Sequence, residues 1–271
     1  WLFARRPGTA LARKLLNGML GYTQTLALAK TLEHASLDQI MEKMAQLIAR
    51  DVTVTGLDRI PAHGPALVVA NHPTGIADGI ILHSLIAQRR SDSYVFANAD
   101  ILRVLPQMRP LIAPVEWRLG KRTHTKTRET MALTRHAIDQ GQLGVIFPSG
   151  RLAKRRGLKL HERPWMPSAA MIARKFNLPV IPVHISARNS ALFYAFDALH
   201  PTLRDITLFH ETLNKGRQPF RVNVGEPIAP SALPANSDQG IELLRRATLA
   251  LAGAHAPSVS LIEASRALRW T

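Results

Sequence analysis

The stretch Asn71-His72-Pro73-Thr74-Gly75-Ile76-Ala77-Asp78 puts an imidazole and a carboxylate just beyond an apolar run, Ala66-Leu67-Val68-Val69-Ala70. A histidine so placed can take a proton as a general base. A nearby aspartate can fix its tautomer and stabilise its charged form. The spacing decides what backbone can join them. Six positions at about 100° each come to about 600°, which puts the two residues on different faces of one continuous helix. Pro73 and Gly75 instead predict a turn, with a helix beginning near Ala77. His72 then hangs from a strand end and Asp78 reaches back from the first helical turn. The same pair is also compatible with a surface loop and an incidental helix cap.

Three further segments hold residues suited to chemistry. Val145-Ile146-Phe147-Pro148-Ser149-Gly150-Arg151 reads as a second strand ending in a turn, followed by Lys154, Arg155 and Arg156. Cations beyond a strand end suit a phosphate or carboxylate, and equally make an ordinary solvated loop. Arg118, Lys121, Arg122, Lys126 and Arg128 flank Trp117, where they can meet an anionic headgroup, an acyl carrier, or nothing. Leu178-Pro179-Val180-Ile181-Pro182-Val183-His184 carries two prolines, which predicts an edge strand or one bent beside a site.

These residues need a scaffold, and the periodicity predicts one. The run Ala66–Ala70 has no polar break, as in a strand buried on both faces of a helix-covered parallel sheet. Further strands are expected at Tyr94–Ala97, Val145–Phe147, Val180–Ile185, Ile206–Phe209 and Phe220–Val224. Helices fit Asp78–Gln88, Arg128–Gln140, Pro167–Phe176 and Ile241–Ala252, with a last one after Ser260, whose spacing to Glu263 matches a capping box. Strands separated by helices of this length predict an α/β fold with a largely parallel central sheet. In such sheets chemistry sits beyond the carboxyl ends of strands.

Before Arg50 the chain is helical in character. Leu11, Leu15, Met19 and Leu20 form one apolar stripe beside Arg5, Arg6, Arg13 and Lys14. Ile40, Met44, Leu47 and Ile48 form a second. A bend is expected between Glu33 and Asp38, with Ser36 as N-cap. The organisation expected is a helical hairpin over residues 1–50 and an α/β domain over 51–271. The hairpin can pack on the domain, lie in a membrane interface as a basic amphipathic anchor, or do both.

Composition narrows the partners. The 271 residues hold 35 Lys and Arg against 19 acids, a formal charge of +16. That excess implies polyanionic company, either nucleic acid or an anionic membrane leaflet. Aromatics are 6% and show no stacking pattern interleaved with cations, and no helix-turn-helix or zinc-finger signature appears, which favours the membrane. With no cysteine, a thiolate nucleophile and Cys-ligated metal sites are excluded. No apolar run reaches the roughly 18 residues of a spanning helix. The sequence begins at Trp1, so its first residues do not bear on a signal peptide.

Taken in order, the four segments resemble the blocks of the lysophospholipid acyltransferase family, which includes the 1-acylglycerol-3-phosphate acyltransferases. Asn71-His72 with Asp78 is similar to that family's Asn-His-(x)4-Asp block, and the stretch around Arg118 to its second. Phe147-Pro148-Ser149-Gly150-Arg151 resembles Phe-Pro-Glu-Gly-Thr-Arg, and Val180-Ile181-Pro182-Val183 the last, proline-containing block. The resemblance spans roughly Gly56 to Pro227, and the amino-terminal helices also look like the family's hairpin.

The resemblance implies acyl transfer from acyl-CoA or acyl carrier protein to a lysolipid hydroxyl. His72 would be the base and Asp78 its orienter. Asn71, Ser149, Gly150, Arg151 and Arg118 would bind substrate, and backbone amides near Gly75 or Gly150 would hold the oxyanion. It implies no metal or redox cofactor, and peripheral binding at the cytoplasmic face of the inner membrane. The chain departs from the family at two places. The gap between His72 and Asp78 is one residue longer than usual. Ser149 replaces a Glu and a Thr is missing before Arg151, so the acceptor expected is either lysophosphatidic acid or a lysolipid with another headgroup, such as a lyso-aminolipid of the ornithine-lipid type. Two rivals remain: a serine esterase or thioesterase built on Ser149, which lacks the Gly-x-Ser-x-Gly elbow, and a basic binding protein with no catalysis.

Overall fold

The computed structural model describes residues 9–116, 123–157 and 159–253. Seven strands form one sheet: β1 (Val52–Thr55), β2 (Ala66–Ala70), β3 (Ser93–Asn98), β4 (Ile112–Val115), β5 (Leu143–Ile146), β8 (Val180–Ser186) and β9 (Phe220–Val224). A separate hairpin pairs β6 (Lys154–Arg156) with β7 (Lys159–His161). The large sheet runs β1-β9-β8-β2-β5-β3-β4, and β8–β9 is its one antiparallel pairing. The expected largely parallel α/β architecture is therefore what the chain adopts.

β2 stands at the centre, with every residue buried. Its side chains alternate between two helical layers. Ala66, Val68 and Ala70 join a cluster with residues of α3 (Leu37–Ile48) and α4 (Ile76–Ile86). Leu67 and Val69 join another with residues of α6 (His124–Asp139), α7 (Ser168–Lys175) and α10 (Ser237–Ala250). Each fully buried Val or Leu contributes about 1.5–3 kcal/mol, so two-sided burial fixes the strand that carries His72.

The amino-terminal region is cut more finely than expected. Gly21, in the left-handed region at φ 65°, separates α1 (Thr9–Met19) from α2 (Tyr22–Leu32). The bend after α2 falls where the sequence places it, and Ser36 caps α3 in a capping box with Gln39. Ile40, Met44 and Ile48 are buried against the sheet, whereas Leu11, Leu15 and Met19 are exposed. Among the described residues no helix is long and apolar enough to cross a membrane.

Two expectations are corrected. Residues 206–209 are not a strand; they lie in α9 (Pro201–Asn214), which follows α8 (Ala191–Leu199). Pro201 opens the helix and the His200 ring accepts from the Thr202 N–H. The buried stripe of α9 is polar, Thr207 and Glu211, continued by Lys215, so an apolar pattern cannot reveal it. The second correction is to one of the two readings of β8: the strand is interior, which excludes the edge and leaves the distorted strand. Its Pro182 falls where pairing with β9 gives way to the isolated bridge Val180–Ile228. Two residues separate Val180 from Val183 but three separate Val224 from Ile228, a local bulge that accommodates the missing N–H. The helix expected after Ser260 lies outside the described residues.

Candidate active site

His72 lies two residues past β2, at the carboxyl end of the central strand. Its carbonyl accepts from the Ala153 N–H at 2.9 Å, and its own N–H donates to Glu162 Oε2 at 3.3 Å. The ring stacks on Phe147, with centroids 4.4 Å apart, and remains 19% exposed. Main chain and ring face are thus held while part of the ring stays accessible.

Asp78 is fully buried in the first turn of α4. Its Oδ2 accepts from the N–H groups of Thr74 at 2.8 Å and Gly75 at 2.9 Å, and Oδ1 accepts from the Thr74 hydroxyl at 2.5 Å. Buried carboxylates need such donors. Gly75, at φ 101° and ψ −129°, adopts a conformation open to glycine but not to L side chains. This turn brings His72 and Asp78 together across the five residues between them. His72 Nδ1 lies 2.9 Å from Asp78 Oδ2, although too far off the ring N–H direction to form a well-aligned hydrogen bond. Catalytic contacts of this kind often align only when substrate is bound.

The second strand end comes alongside. Ser149 is buried, and its hydroxyl donates to the Arg151 carbonyl at 2.8 Å rather than to an imidazole. The Gly150 N–H closes the turn onto the Phe147 carbonyl at 2.9 Å. The N–H groups of Gly75 and Gly150 themselves are both committed within the fold, which leaves an oxyanion donor near them to a neighbouring amide. Arg151 is exposed at the rim. Asn71 is placed for a different task from substrate contact. Its amide donates to the Ile185 carbonyl at 2.9 Å and accepts the Ile185 N–H at 2.7 Å, continuing the β2–β8 pairing past the strand end. Arg118 lies outside the described residues.

Several contributors were not legible as site residues. Thr74 supplies two of the three donors to Asp78, and a hydroxyl just before a helix start was the available signal. Glu162 and Trp165, joined at 3.0 Å, lie beyond the β6–β7 hairpin and match no spacing rule. Burial pushes the Glu162 carboxyl up from its usual range, against hydrogen bonds from Trp165 and the His72 N–H and the nearby His72 charge. Lys215, fully buried, donates to Glu211 at 2.8 Å. Burial lowers its pKa, while the Glu211 and Asp78 carboxylates act in the opposite sense. Among the described residues no group of three or more His, Asp or Glu side chains is spaced to hold a metal ion. An imidazole backed by a buried carboxylate, partly accessible beside a cationic rim, can deprotonate a hydroxyl or protonate a leaving group.

A family model described as acyltransferase matches residues 51–186, about half of the chain and all the segments named above. The chain belongs to the acyltransferase family. It is an enzyme that transfers acyl groups, and the matched span runs from β1 to the end of β8. Among curated proteins, this acyltransferase is 23% identical over 194 residues to the lyso-glycine lipid O-acyltransferase of Phocaeicola vulgatus, covering 69% of this chain and 68% of that one. It is 22% identical over 194 residues to the enzyme of the same name from Bacteroides thetaiotaomicron, covering 69% and 70%. Among solved structures, the 1-acyl-sn-glycerophosphate acyltransferase PlsC from Thermotoga maritima superposes with a TM-score of 0.50 at 15% identity, over 89% of this chain and 95% of that chain. That likeness is one of fold.

Proposed function

We propose that this acyltransferase moves a fatty acyl group from a thioester donor, acyl-CoA or acyl carrier protein, to the hydroxyl of a lyso-aminolipid. The observation that carries the reading is the His72–Asp78 contact of 2.9 Å at the end of the central strand, inside the matched family span. With its proton on Nδ1 facing Asp78, His72 presents the Nε2 lone pair to the acceptor hydroxyl. Nε2 takes that proton as the oxygen attacks the thioester carbonyl carbon. The tetrahedral intermediate collapses, the carbon–sulfur bond breaks, and His72 returns the proton to the departing thiolate. The products are an ester and a free thiol. A base positioned in this way contributes on the order of 10²–10⁴ in rate.

The acceptor class rests on two observations. Ser149 stands where the family usually carries a Glu, and the two curated relatives are named for a lyso-glycine lipid. Arg151 at the rim is suited to an anionic carboxylate or phosphate. The exposed face of α1 and α2, with Leu11, Leu15 and Met19, supports peripheral attachment to an anionic membrane. The test is acyl transfer by the purified chain, with lyso-aminolipid and lysophosphatidic acid offered together and products identified by mass spectrometry. The diacylated aminolipid is expected to dominate. Exclusive formation of phosphatidic acid would count against the acceptor assigned here.

A further inference from the structure

The acyl-transfer steps leave one carboxylate at the site without a task. Glu162, just past β7, is partly buried, and its two oxygens are divided between two N–H donors. Oε2 takes the His72 N–H at 3.3 Å and Oε1 takes the Trp165 indole N–H at 3.0 Å. The Ser149 hydroxyl lies beside the same carboxylate. Three stretches of chain therefore meet on Glu162: the end of β2, the turn after β5 and the segment after β7. Two backbone bonds tie the same stretches together, Ala153 N–H to the His72 carbonyl at 2.9 Å and Met166 N–H to the Pro148 carbonyl at 3.0 Å. Ser149 in that turn is short and neutral, so the turn brings no carboxylate of its own.

We infer that Glu162 is a positioning residue for acyl transfer: its ionised carboxylate holds the His72 main chain, and through it the imidazole, in place. The inference rests on the reading of His72 as the base. Ionisation matters because both N–H donors bind a carboxylate more strongly than a neutral carboxyl, whose oxygens are weaker acceptors. Burial raises the pH at which Glu162 takes up a proton above the ordinary carboxylate range. The titratable group facing Glu162 is His72, with Asp78 behind it from the β2–α4 turn. Ser149 and Phe147 from the β5 turn and Trp165 from its own segment are neutral. Nearby Arg163 turns its guanidinium to the Leu152 carbonyl at 2.9 Å.

The test compares the full chain with Glu162→Gln and Glu162→Asp in steady-state acyl transfer over pH, with thermal unfolding in parallel. In the parent protein a proton on Glu162 loosens the hold on the His72 main chain, so Glu162 contributes to the acid limb of kcat/KM. Glu162→Gln is expected to lose on the order of 10- to 100-fold in kcat, the scale of a misplaced catalytic group, with KM within about twofold and an altered acid limb. Glu162→Asp restores the charge and is expected to recover the parent's limb and part of kcat. Turnover within about twofold and an unchanged limb in Glu162→Gln would overturn the inference. So would a fall in kcat that follows only a fall in unfolding temperature, with the limb unchanged. His72→Ala run alongside separates the two claims. Full turnover there overturns the base and this inference together, whereas an inactive His72→Ala beside an unaltered Glu162→Gln overturns the inference alone.

Discussion

The Asp78 carboxylate accepts three hydrogen bonds from Thr74 and Gly75, both in the turn that begins at His72. Asp78 is thus fastened to the loop that carries His72, and the shape of the turn sets the distance between them. Gly75 makes that shape available, at φ 101°, and a Cβ there would sit 3.1 Å from Leu152 Cδ2. Gly75→Ala is expected to cost about 1–3 kcal/mol through backbone strain, seen as a lower thermal midpoint, and to reduce acyl transfer by at least roughly tenfold as His72 and Asp78 part. An unchanged midpoint and rate would contradict this account of the turn. At this scale the sequence was informative where residue type constrains backbone: Pro73 and Gly75 demanded a turn, and the apolar run before Asn71 demanded a buried strand. Glu162 was invisible because its contacts depend on how a distant hairpin folds back. The occupied amides of Gly75 and Gly150 were hidden for the same reason, since spacing does not tell which N–H groups a fold has already used.

Among elements, the strands with a clear apolar pattern were the readable ones: β2, β3 and β8 as mostly apolar runs and β9 as an alternation of buried Phe220, Val222 and Val224 match their expected spans to within about a residue or two. β1 and β4 were missed, being four-residue strands at the two edges of the sheet, too short to show a pattern. α9 was misread because its inward stripe holds Thr207 and Glu211, whose burial is made tolerable by Lys215 and Ser190 rather than by apolar packing. α1 shows the reverse mismatch: its Leu11 and Leu15 are 63% and 65% exposed. Apolar side chains left in water on a helix flanked by Arg13 and Lys14 suit the interface of an anionic bilayer. Each leucine would contribute about 1.5–3 kcal/mol on burial. Leu11→Asp with Leu15→Asp is therefore expected to weaken co-sedimentation with anionic vesicles by at least about tenfold, while leaving the unfolding temperature nearly unchanged. Undiminished binding would remove this face from the membrane contact.

Across the whole molecule, the excess of 35 basic over 19 acidic residues and the buried histidines shape the response to pH. His184 in β8 is buried, and desolvation pushes it down to about 4 from 6.5. His83 in α4 is lowered by burial as well, against the opposing charge of Asp38. A group with a depressed pKa in the folded state stays neutral there while the unfolded chain takes up its proton. The stability it supports is full above pH 6.5 and is lost as pH falls toward 4. For His184 the loss is on the order of 3 kcal/mol across that window. His184→Gln is expected to flatten the decline of unfolding temperature between pH 6.5 and 4, as read by circular dichroism. An equally steep decline in the variant would place the acid sensitivity elsewhere.

The central claim is that His72 removes the acceptor's proton, held by Asp78 at the end of β2. Its most direct test is the rate at which purified His72→Ala converts an acyl thioester and a lysolipid to ester and free thiol, compared with the parent chain. A fall on the order of 10²–10⁴ in kcat, with fold and vesicle binding retained, is the result predicted. Full turnover in a folded His72→Ala would contradict it.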